Sequence, residues 1–363
     1  MKRWFAVPAA MLLLVLVIVG CGSSGSSSSS EETTSESTEA TESSETSEAG
    51  DAGSGVKSAG ANLKVSFISP VASQPGQQQL AAGLEAGAKE LGWSSRVLDS
   101  NLSADKQVSD IETAINQGDA GIASWTLDPH AAAGAYEQAQ SAGIPVIGLN
   151  SSGAGLTTSV WYEIQLCEPG GPEAVSAEMI AKMHPHAKTI MVADHVAEST
   201  TELSDCFAKE AKKFGLDILA EGTTEVGNAS DAQKVFEPLL TKYPEVEAVW
   251  GFNDETALGA SVALQAAGKT IATVENPEGV VVTGQAGDKG AIEAVEEGRM
   301  SWTWDPNPPA AGQACALLIN EALLGEKPQK IVIESGLVDS ETVGEYVPPE
   351  QRHYTLTNLP IKK

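Results

Sequence analysis

The chain has 363 residues and a formal net charge of -27. This acidity argues against binding to nucleic acid, whose phosphate backbone requires a basic face, and we interpret it as favouring solubility and mildly disfavouring anionic ligands. About 300 residues follow the low-complexity N-terminal part, which is too many for one small core and typical of two lobes.

The N-terminal segment has the pattern of an export signal. Two basic residues precede an apolar run from Trp4 to Gly20, and Cys21 follows directly. Because it ends on a cysteine, the segment resembles a bacterial lipoprotein signal, which implies that residues 1–21 form the signal and that Cys21 is lipidated. The alternatives are a buried cysteine by chance or an uncleaved membrane helix. The run is near the lower limit for spanning a bilayer, and Pro8 interrupts it.

Residues 22–62 are mostly Ser, Thr, Glu, Gly and Ala, with Val56 as the one bulky aliphatic residue. Such a segment cannot bury enough apolar surface to offset the entropy of ordering, and its glutamates repel one another. We therefore predict a disordered, extended linker between the lipid anchor and a folded domain. An interaction tail is the alternative interpretation.

Strands and helices alternate along the rest of the chain. The first half predicts strands at 63–69, 95–98, 122–125 and 144–149, and helices at 77–91, 104–117 and 131–142. After an irregular stretch, the second half predicts strands at 189–193, 218–219, 248–252, 280–284, 301–304 and 331–333, and helices at 174–183, 203–214, 232–241, 257–267, 291–297 and 310–324. A repeat of about 30 residues predicts two doubly wound parallel sheets. A ligand then binds beyond the carboxyl ends of the strands.

Polar and aromatic residues follow several predicted strands, and this combination suits a polar organic ligand. We select nine candidate ligand-binding residues: Gln74, Gln77, Trp125, Asn150, Trp161, Asn253, Gln285, Trp304 and Asp305. Three aspartates precede helices and are assigned instead to helix N-capping: Asp128, Asp254 and Asp288. We expect one of Trp302 and Trp304 to face the cleft.

Three cysteines remain after Cys21, namely Cys167, Cys206 and Cys315. No CxxC pair is present, so neither a zinc ribbon nor a thioredoxin-like motif is indicated. An exported location permits a disulfide, and we favour a structural bridge over redox chemistry. Spacing alone does not determine which cysteines pair.

The folded part, from about residue 63 to 333, resembles the type 1 periplasmic sugar-binding proteins of ABC transporters, the ribose- and galactose-binding group. Four blocks carry the resemblance: Gly83–Gly92, Ile144–Asn150, Asn253–Ala260 and Gly284–Gly298. Regulators of the lac-repressor type share this fold but carry an N-terminal helix-turn-helix, which is absent here.

The resemblance implies an α/β fold of two doubly wound parallel-sheet lobes joined by a three-segment hinge near Gln165, Pro306 and Leu337. It places residues 63–165 and 306–336 in the first lobe, and residues 166–305 and 337–363 in the second. The same alignment places Cys167 and Cys206 near helix starts close to the cleft. It therefore implies that they form a disulfide in the second lobe and that Cys315 is buried alone.

The sequence departs from the sugar-binding pattern at several site positions. Gln74, Gly76 and Gln77 replace the usual Asn and paired Phe, and Asn150-Ser151 replaces Asp-Arg. Asn253 is retained, whereas Gln285 replaces the usual Asp. The resemblance still implies a sugar or polyol ligand, but the site has lost charge.

No sequence motif indicates catalysis. The chain has no HExxH, no G-x-S-x-G and no phosphate-binding glycine-lysine motif, and Asp194 and His195 would point to opposite faces of a strand. We predict an extracytoplasmic, lipid-anchored monomer without enzymatic activity, metal or cofactor. It would capture a small polar ligand and deliver it to an ABC permease. The alternative is a ligand-sensing lipoprotein that presents its bound form to a membrane receptor or kinase.

Overall fold

The computed structural model describes residues 55–362. The predicted signal peptide, Cys21 and most of the predicted linker therefore lie outside the described residues. Between residues 55 and 362, no helix is both long and apolar enough to cross a bilayer.

Twelve strands and nine α-helices make up this described part. The strands are β1 (Lys64–Ser69), β2 (Ser94–Asp99), β3 (Gly121–Ser124), β4 (Val146–Leu149), β5 (Thr158–Tyr162), β6 (Lys188–Ala193), β7 (Asp217–Thr223), β8 (Ala248–Gly251), β9 (Val281–Gln285), β10 (Trp302–Asp305), β11 (Ile331–Ile333) and β12 (Gly336–Asp339). The helices are α1 (Pro75–Glu90), α2 (Ala104–Asn116), α3 (Pro129–Ser141), α4 (Pro172–Met183), α5 (Glu198–Lys213), α6 (Ala229–Lys242), α7 (Asp254–Ala266), α8 (Lys289–Glu296) and α9 (Pro308–Leu323).

The strands form two six-stranded sheets, which define the two lobes. The order is β11-β5-β4-β3-β1-β2 in the first lobe and β12-β10-β9-β8-β6-β7 in the second. All neighbours are parallel except β10 and β12. Strands such as β4 and β8 are buried along their whole length, as expected for a parallel sheet covered on both faces. The predicted fold class is confirmed.

The sequence did not indicate two of the strands. β5 lies in the stretch predicted to be irregular, and β12 is a short antiparallel strand at the edge of the second sheet. β5 is only partly buried and follows a glycine-containing turn, so it lacks the continuous apolar run of its neighbours. Helix α5 also begins at Glu198, five residues before the predicted start.

Helices α1 and α9 pack in unusually close contact through two glycines. A Cβ atom on Gly83 would lie 2.1 Å from the carbonyl oxygen of Pro309, and one on Gly312 would lie 2.1 Å from that of Leu80. Only glycine permits this approach between helix backbones. Because α9 begins directly after β10 and the connection at Pro306, the contact fixes how the chain re-enters the first lobe.

The chain crosses between the sheets three times, from β5 to α4, from β10 to α9 and from β11 to β12. Residues 337–363 were predicted to belong to the second lobe. Strand β12 lies in the second sheet and Tyr346 donates to the Gly287 carbonyl of that lobe, whereas the last described residues return to the first lobe. Ile361 forms an antiparallel bridge with Ile333, and the amide of Leu356 donates to the Glu90 carboxylate at 3.1 Å. Contacts with residues distant in sequence therefore hold only the last part of this tail against the first lobe.

The ordered domain also begins earlier than predicted. The predicted linker ends at residue 62, but Asn320 of α9 donates to the Lys57 carbonyl at 2.9 Å and accepts from the Ala59 amide at 2.8 Å. The Trp93 indole donates to the Gly60 carbonyl at 2.7 Å. The last residues of the predicted linker are therefore part of the first lobe.

Candidate functional site

A cavity of about 130 Å³ lies between the lobes, at the carboxyl ends of both sheets. The first lobe contributes residues that follow β1 and β3 and the end of β5, and the second contributes residues that follow β6, β8 and β9. This is where doubly wound sheets bind ligands. The volume suits a small molecule and not a polymer.

Two hydrogen bonds join the lobes beside the cavity. The indole Nε1 of Trp125 in the first lobe donates to the Oγ of Ser199 in the second at 2.9 Å. The Nε2 of Gln74 donates to the carbonyl of Val226 at 3.2 Å. The lobes are therefore in direct contact across the cleft.

Five of the nine predicted ligand residues line the cavity: Gln74, Gln77, Trp125, Asn253 and Gln285. Several of their amide atoms already bond to protein. The Asn253 Oδ1 accepts from the Thr256 amide at 2.8 Å and caps α7, while its Nδ2 donates to the Gly227 carbonyl at 2.9 Å. The Gln285 Nε2 donates to the Phe252 carbonyl at 2.8 Å, so Gln285 keeps its Oε1 for a ligand.

The other four predicted residues do not line the cavity. Asn150 has a positive φ of 44°, and its Oδ1 accepts from the Tyr162 amide at 2.7 Å, which ties β4 to β5. The indole of Trp161 donates to the Ser159 Oγ at 2.8 Å. Asp305 forms an ion pair with Arg352 of the tail.

Trp304 also faces away from the cavity, and so does Trp302. Both indoles donate to the Ser176 Oγ of α4, Trp304 at 2.8 Å and Trp302 at 3.3 Å. The expectation that one of them faces the cleft was wrong. Residues two apart on a strand share a face, and this face packs against α4.

Three acidic residues also line the cavity, although they were not among the predicted ligand residues: Asp194, Glu255 and Asp288. Each follows a strand of the second lobe, which is the signal that identified the amides. Burial raises the pKa of Asp194 and of Glu255. Burial, followed by the negative charges of Glu255 and Asp305, raises the pKa of Asp288 to about 7.

The three predicted N-capping aspartates differ in what they do. Asp128 caps α3, as predicted, by accepting from the His130 amide at 2.8 Å and the Ala131 amide at 3.1 Å. Asp254 is not an N-cap, because its carboxylate accepts from the Asp288 amide at 2.9 Å and the Thr303 hydroxyl at 2.5 Å. Asp288 occupies the N-cap position of α8, but its side chain makes no capping bond.

Aromatic and aliphatic side chains form most of the remaining wall. Trp125 and Tyr162 meet edge to face, with ring centroids 5.7 Å apart, and Phe252 contributes from the second lobe. Pro70, Leu127 and several other apolar residues complete the first-lobe side. The cavity therefore offers apolar ring-packing surfaces beside a few polar groups.

A disulfide joins Cys167 and Cys206, with their Cα atoms 5.6 Å apart, and Cys315 is a buried free thiol in α9. The bridge ties the segment after the first crossing to helix α5, whose N-terminal part borders the cavity. Across residues 55–362, no group of three or more His, Cys, Asp or Glu residues is arranged to hold a metal ion.

Curated proteins similar to this chain include ribose import binding proteins. That of Bacillus subtilis (strain 168) is 26% identical over 253 residues, which cover 70% of this chain and 79% of the relative. That of Escherichia coli (strain K12) is 26% identical over 282 residues, which cover 76% of this chain and 90% of the relative.

Solved structures with the same fold include two with bound ligands. A Caulobacter myo-inositol binding protein bound to myo-inositol has a TM-score of 0.70 and 22% identity, over 79% of this chain and 96% of that chain. A solute binding protein from Actinobacillus succinogenes 130z with bound D-allose has a TM-score of 0.69 and 20% identity, over 78% and 100%.

The model of the periplasmic binding protein domain matches residues 65–327, which span both lobes. That range is more than half of the chain, and it contains the strands and loops that form the cavity. The chain therefore belongs to the periplasmic binding protein domain family, whose members are solute receptors and not enzymes.

Proposed function

We propose that this protein captures a small polar organic ligand, a sugar or a polyol, outside the cytoplasmic membrane and delivers it to an ABC importer. The observation that carries the proposal is the cavity at the strand ends, which both lobes line. A ligand that contacts both lobes favours their closed arrangement, which a permease can distinguish from the open one. The names of the relatives, which refer to ribose and D-apiose import, support the same class of ligand.

Five residues are proposed to contact the ligand, because they line the cavity from both lobes: Gln74, Gln77, Trp125, Asn253 and Gln285. The amide groups of this set would bond hydroxyls, and the Trp125 ring would pack against an apolar ring face. A dissociation constant of about 1 μM, or roughly -8 kcal/mol, would suffice for capture.

Calorimetric titration of the purified protein with monosaccharides and polyols tests the ligand class. We expect at least one neutral or amino-substituted sugar or polyol to bind, and alanine in place of Gln285 to weaken its binding. If no sugar, polyol, nucleoside or amino acid binds, the transport proposal fails. Uptake of the labelled ligand by cells with and without the gene then tests delivery to an importer.

We also propose that the protein is held at the membrane by a lipid on Cys21. The sequence around Cys21 and the acidic linker after it support this anchor. A tether of this kind raises the local concentration of the binding protein near its permease. Mass spectrometry of the mature N-terminus should find a lipidated Cys21, and Cys21→Ala should move the protein from the membrane to the medium or periplasm.

We further propose that the protein acts as a monomer with a separate permease and ATPase. Closure between two lobes of one chain needs no second copy, and the chain has no phosphate-binding motif for ATP. Light scattering of the purified protein should give the mass of one chain, with and without ligand.

A further inference from the structure

The cavity is acidic and has no built-in counter-charge. The carboxylates of Asp194, Glu255 and Asp288 line it, and none of the described residues lining it is Lys, Arg or His. A cavity with this charge repels sugar acids and phosphorylated sugars. It attracts a ligand that carries a positive charge.

Asp288 is the acidic residue of the cavity wall whose bonding is least complete. Its side chain is only 7% exposed, and its Oδ1 is buried without a hydrogen-bond partner among residues 55–362. An aspartate at an N-cap position normally accepts from the first turn of its helix, but this side chain does not bond to α8 and lines the cavity instead.

Negative charges near Asp288 make its ionised form still more costly. Glu255 and Asp305 both raise the pKa of Asp288, in addition to burial. Asp305 is neutralised by Arg352, whereas Glu255 lies in the cavity wall and has no ion pair within the described part of the chain. A buried carboxylate without a partner is costly, and a cation between Asp288 and Glu255 would offset that cost.

A second residue of the cavity wall also carries a buried acceptor without a donor. The Oε1 of Gln165, at the first crossing between the lobes, is buried without a hydrogen-bond partner in the described structure. Both atoms without partners, in Gln165 and Asp288, are acceptors. The complementary ligand is therefore rich in donors.

The aromatic wall also suits a cation. The rings of Trp125, Tyr162 and Phe252 line the same cavity, and aromatic faces attract ammonium groups. Acidic and aromatic groups together recognise an ammonium group more specifically than they recognise a hydroxyl.

We propose that the cavity selects a ligand with a protonated amino group, namely an amino-substituted sugar or polyol, whose ammonium group lies between Asp288 and Glu255. This inference rests on the proposed function, because it assumes that the cavity between the lobes is the capture site. Hydroxyl groups of the ligand would bond Gln74, Gln77 and Gln285, and an ammonium N–H donor would complete the bonding of Asp288.

Calorimetric titration with matched probes tests the inference at about pH 7. The probes are D-glucosamine, D-galactosamine and D-glucamine, each compared with the neutral parents D-glucose, D-galactose and D-sorbitol. N-acetylated forms of the two amino sugars serve as uncharged probes of similar shape. We expect an amino compound to bind at least tenfold more tightly than its parent and its N-acetyl form.

Three variants then test where the ammonium group of the ligand binds. Asp288→Asn and Glu255→Gln keep the size of each side chain and remove its charge, so each should reduce the tenfold preference to about onefold to threefold. Glu275→Gln removes an exposed carboxylate outside the cavity and should keep the preference. Circular dichroism checks that each variant is folded, and if one cavity variant does not fold, the other tests the position alone.

The outcomes separate this inference from the proposed function. If a neutral parent binds as tightly as its amino derivative, or more tightly, the amine inference is overturned and the capture of a sugar or polyol still stands. If the amino preference survives both cavity variants, the assigned position of the ammonium group is overturned. If none of these probes binds but another neutral sugar or polyol does, the amine inference is overturned and the proposed function stands; if no sugar or polyol of any kind binds, the proposed ligand class fails as well.

Discussion

The indole of Trp125 and the hydroxyl of Ser199 form a hydrogen bond that links the first lobe to the second. Ser199 does not line the cavity, so its hydroxyl affects closure without touching a ligand there. A single bond of this kind contributes about 1 kcal/mol, or roughly a fivefold change in the ratio of closed to open molecules.

We predict that Ser199→Ala makes the ligand-free protein more open and weakens ligand binding by roughly twofold to tenfold. Small-angle X-ray scattering should show a larger radius of gyration for the free variant and the same radius for both ligand-saturated proteins. Ser204→Ala on the same helix is the control, because the Ser204 hydroxyl bonds only within the second lobe, at 2.9 Å to the Thr200 carbonyl. Equal scattering by all three free proteins would contradict the prediction.

We predict that Gly312→Ala destabilises the protein by about 2–3 kcal/mol, because the added methyl group would force α1 and α9 apart. Gly134→Ala is the matched control, since a Cβ there meets no atom within 4 Å and alanine favours the helix by roughly 0.5–1 kcal/mol. Urea denaturation of both variants measures the effects. A Gly312 variant as stable as the wild type would show that the helices can separate without loss.

Glu173 predicts a specific pH dependence of stability. It is fully buried in α4, where its Oε2 accepts from the Trp250 indole at 3.0 Å, and burial raises its pKa to about 8. The folded state therefore holds this proton up to a higher pH than the unfolded state. The contribution of Glu173 is complete below the unfolded pKa and falls by about 1.4 kcal/mol per pH unit as the pH rises towards 8.

Glu173→Gln mimics the protonated form of Glu173 and should therefore remove the pH dependence that this residue gives to stability. We expect the melting temperature of the variant to rise relative to that of the wild type between pH 5 and pH 8, in a series of thermal unfolding curves. Glu178→Gln on the same helix changes a half-buried carboxylate paired with Lys182 and serves as the control, for which we expect a nearly constant difference. A constant difference for Glu173→Gln as well would refute the assignment.

The disulfide between Cys167 and Cys206 closes a loop of 39 residues. Replacing both cysteines by serine should lower the free energy of unfolding by about 2–4 kcal/mol, because the unfolded chain regains the freedom that the bridge removes. Thiol labelling of the unreduced, denatured mature protein should modify Cys315 alone among these three residues. Labelling of all three would show that the bridge is not formed.

The extent to which the fold was predictable varies with the kind of contact involved. Buried strands such as Val146–Leu149 were predicted because an apolar run between a helix and a turn is a local pattern. The position of the tail was not, because the bond between Leu356 and Glu90 joins residues 266 apart in sequence. No local pattern specifies such a contact.

The site was predictable to the level of strand ends but not of side-chain orientation. Asn253 and Asp288 both occupy N-cap positions in the second lobe. Asn253 makes the capping bond, whereas Asp288, for which capping was predicted, does not and was wrongly assigned. Whether an N-cap side chain bonds to its helix or lines the cavity depends on neighbours distant in sequence, which only the folded structure brings near.

The C-terminal tail has a practical consequence for handling this molecule. Tyr346 bonds the Gly287 carbonyl in the second lobe, Arg352 pairs with Asp305 at the second crossing, and Lys362 pairs with Glu163 and Glu168 at the first. The segment from Tyr346 to Lys362 therefore lies against the crossings between the lobes. A deletion that removes Arg352 would leave the Asp305 carboxylate buried without its cation, and a purification tag or reporter fused after this segment would lie beside the crossings. Either change would alter the opening and closing of the lobes.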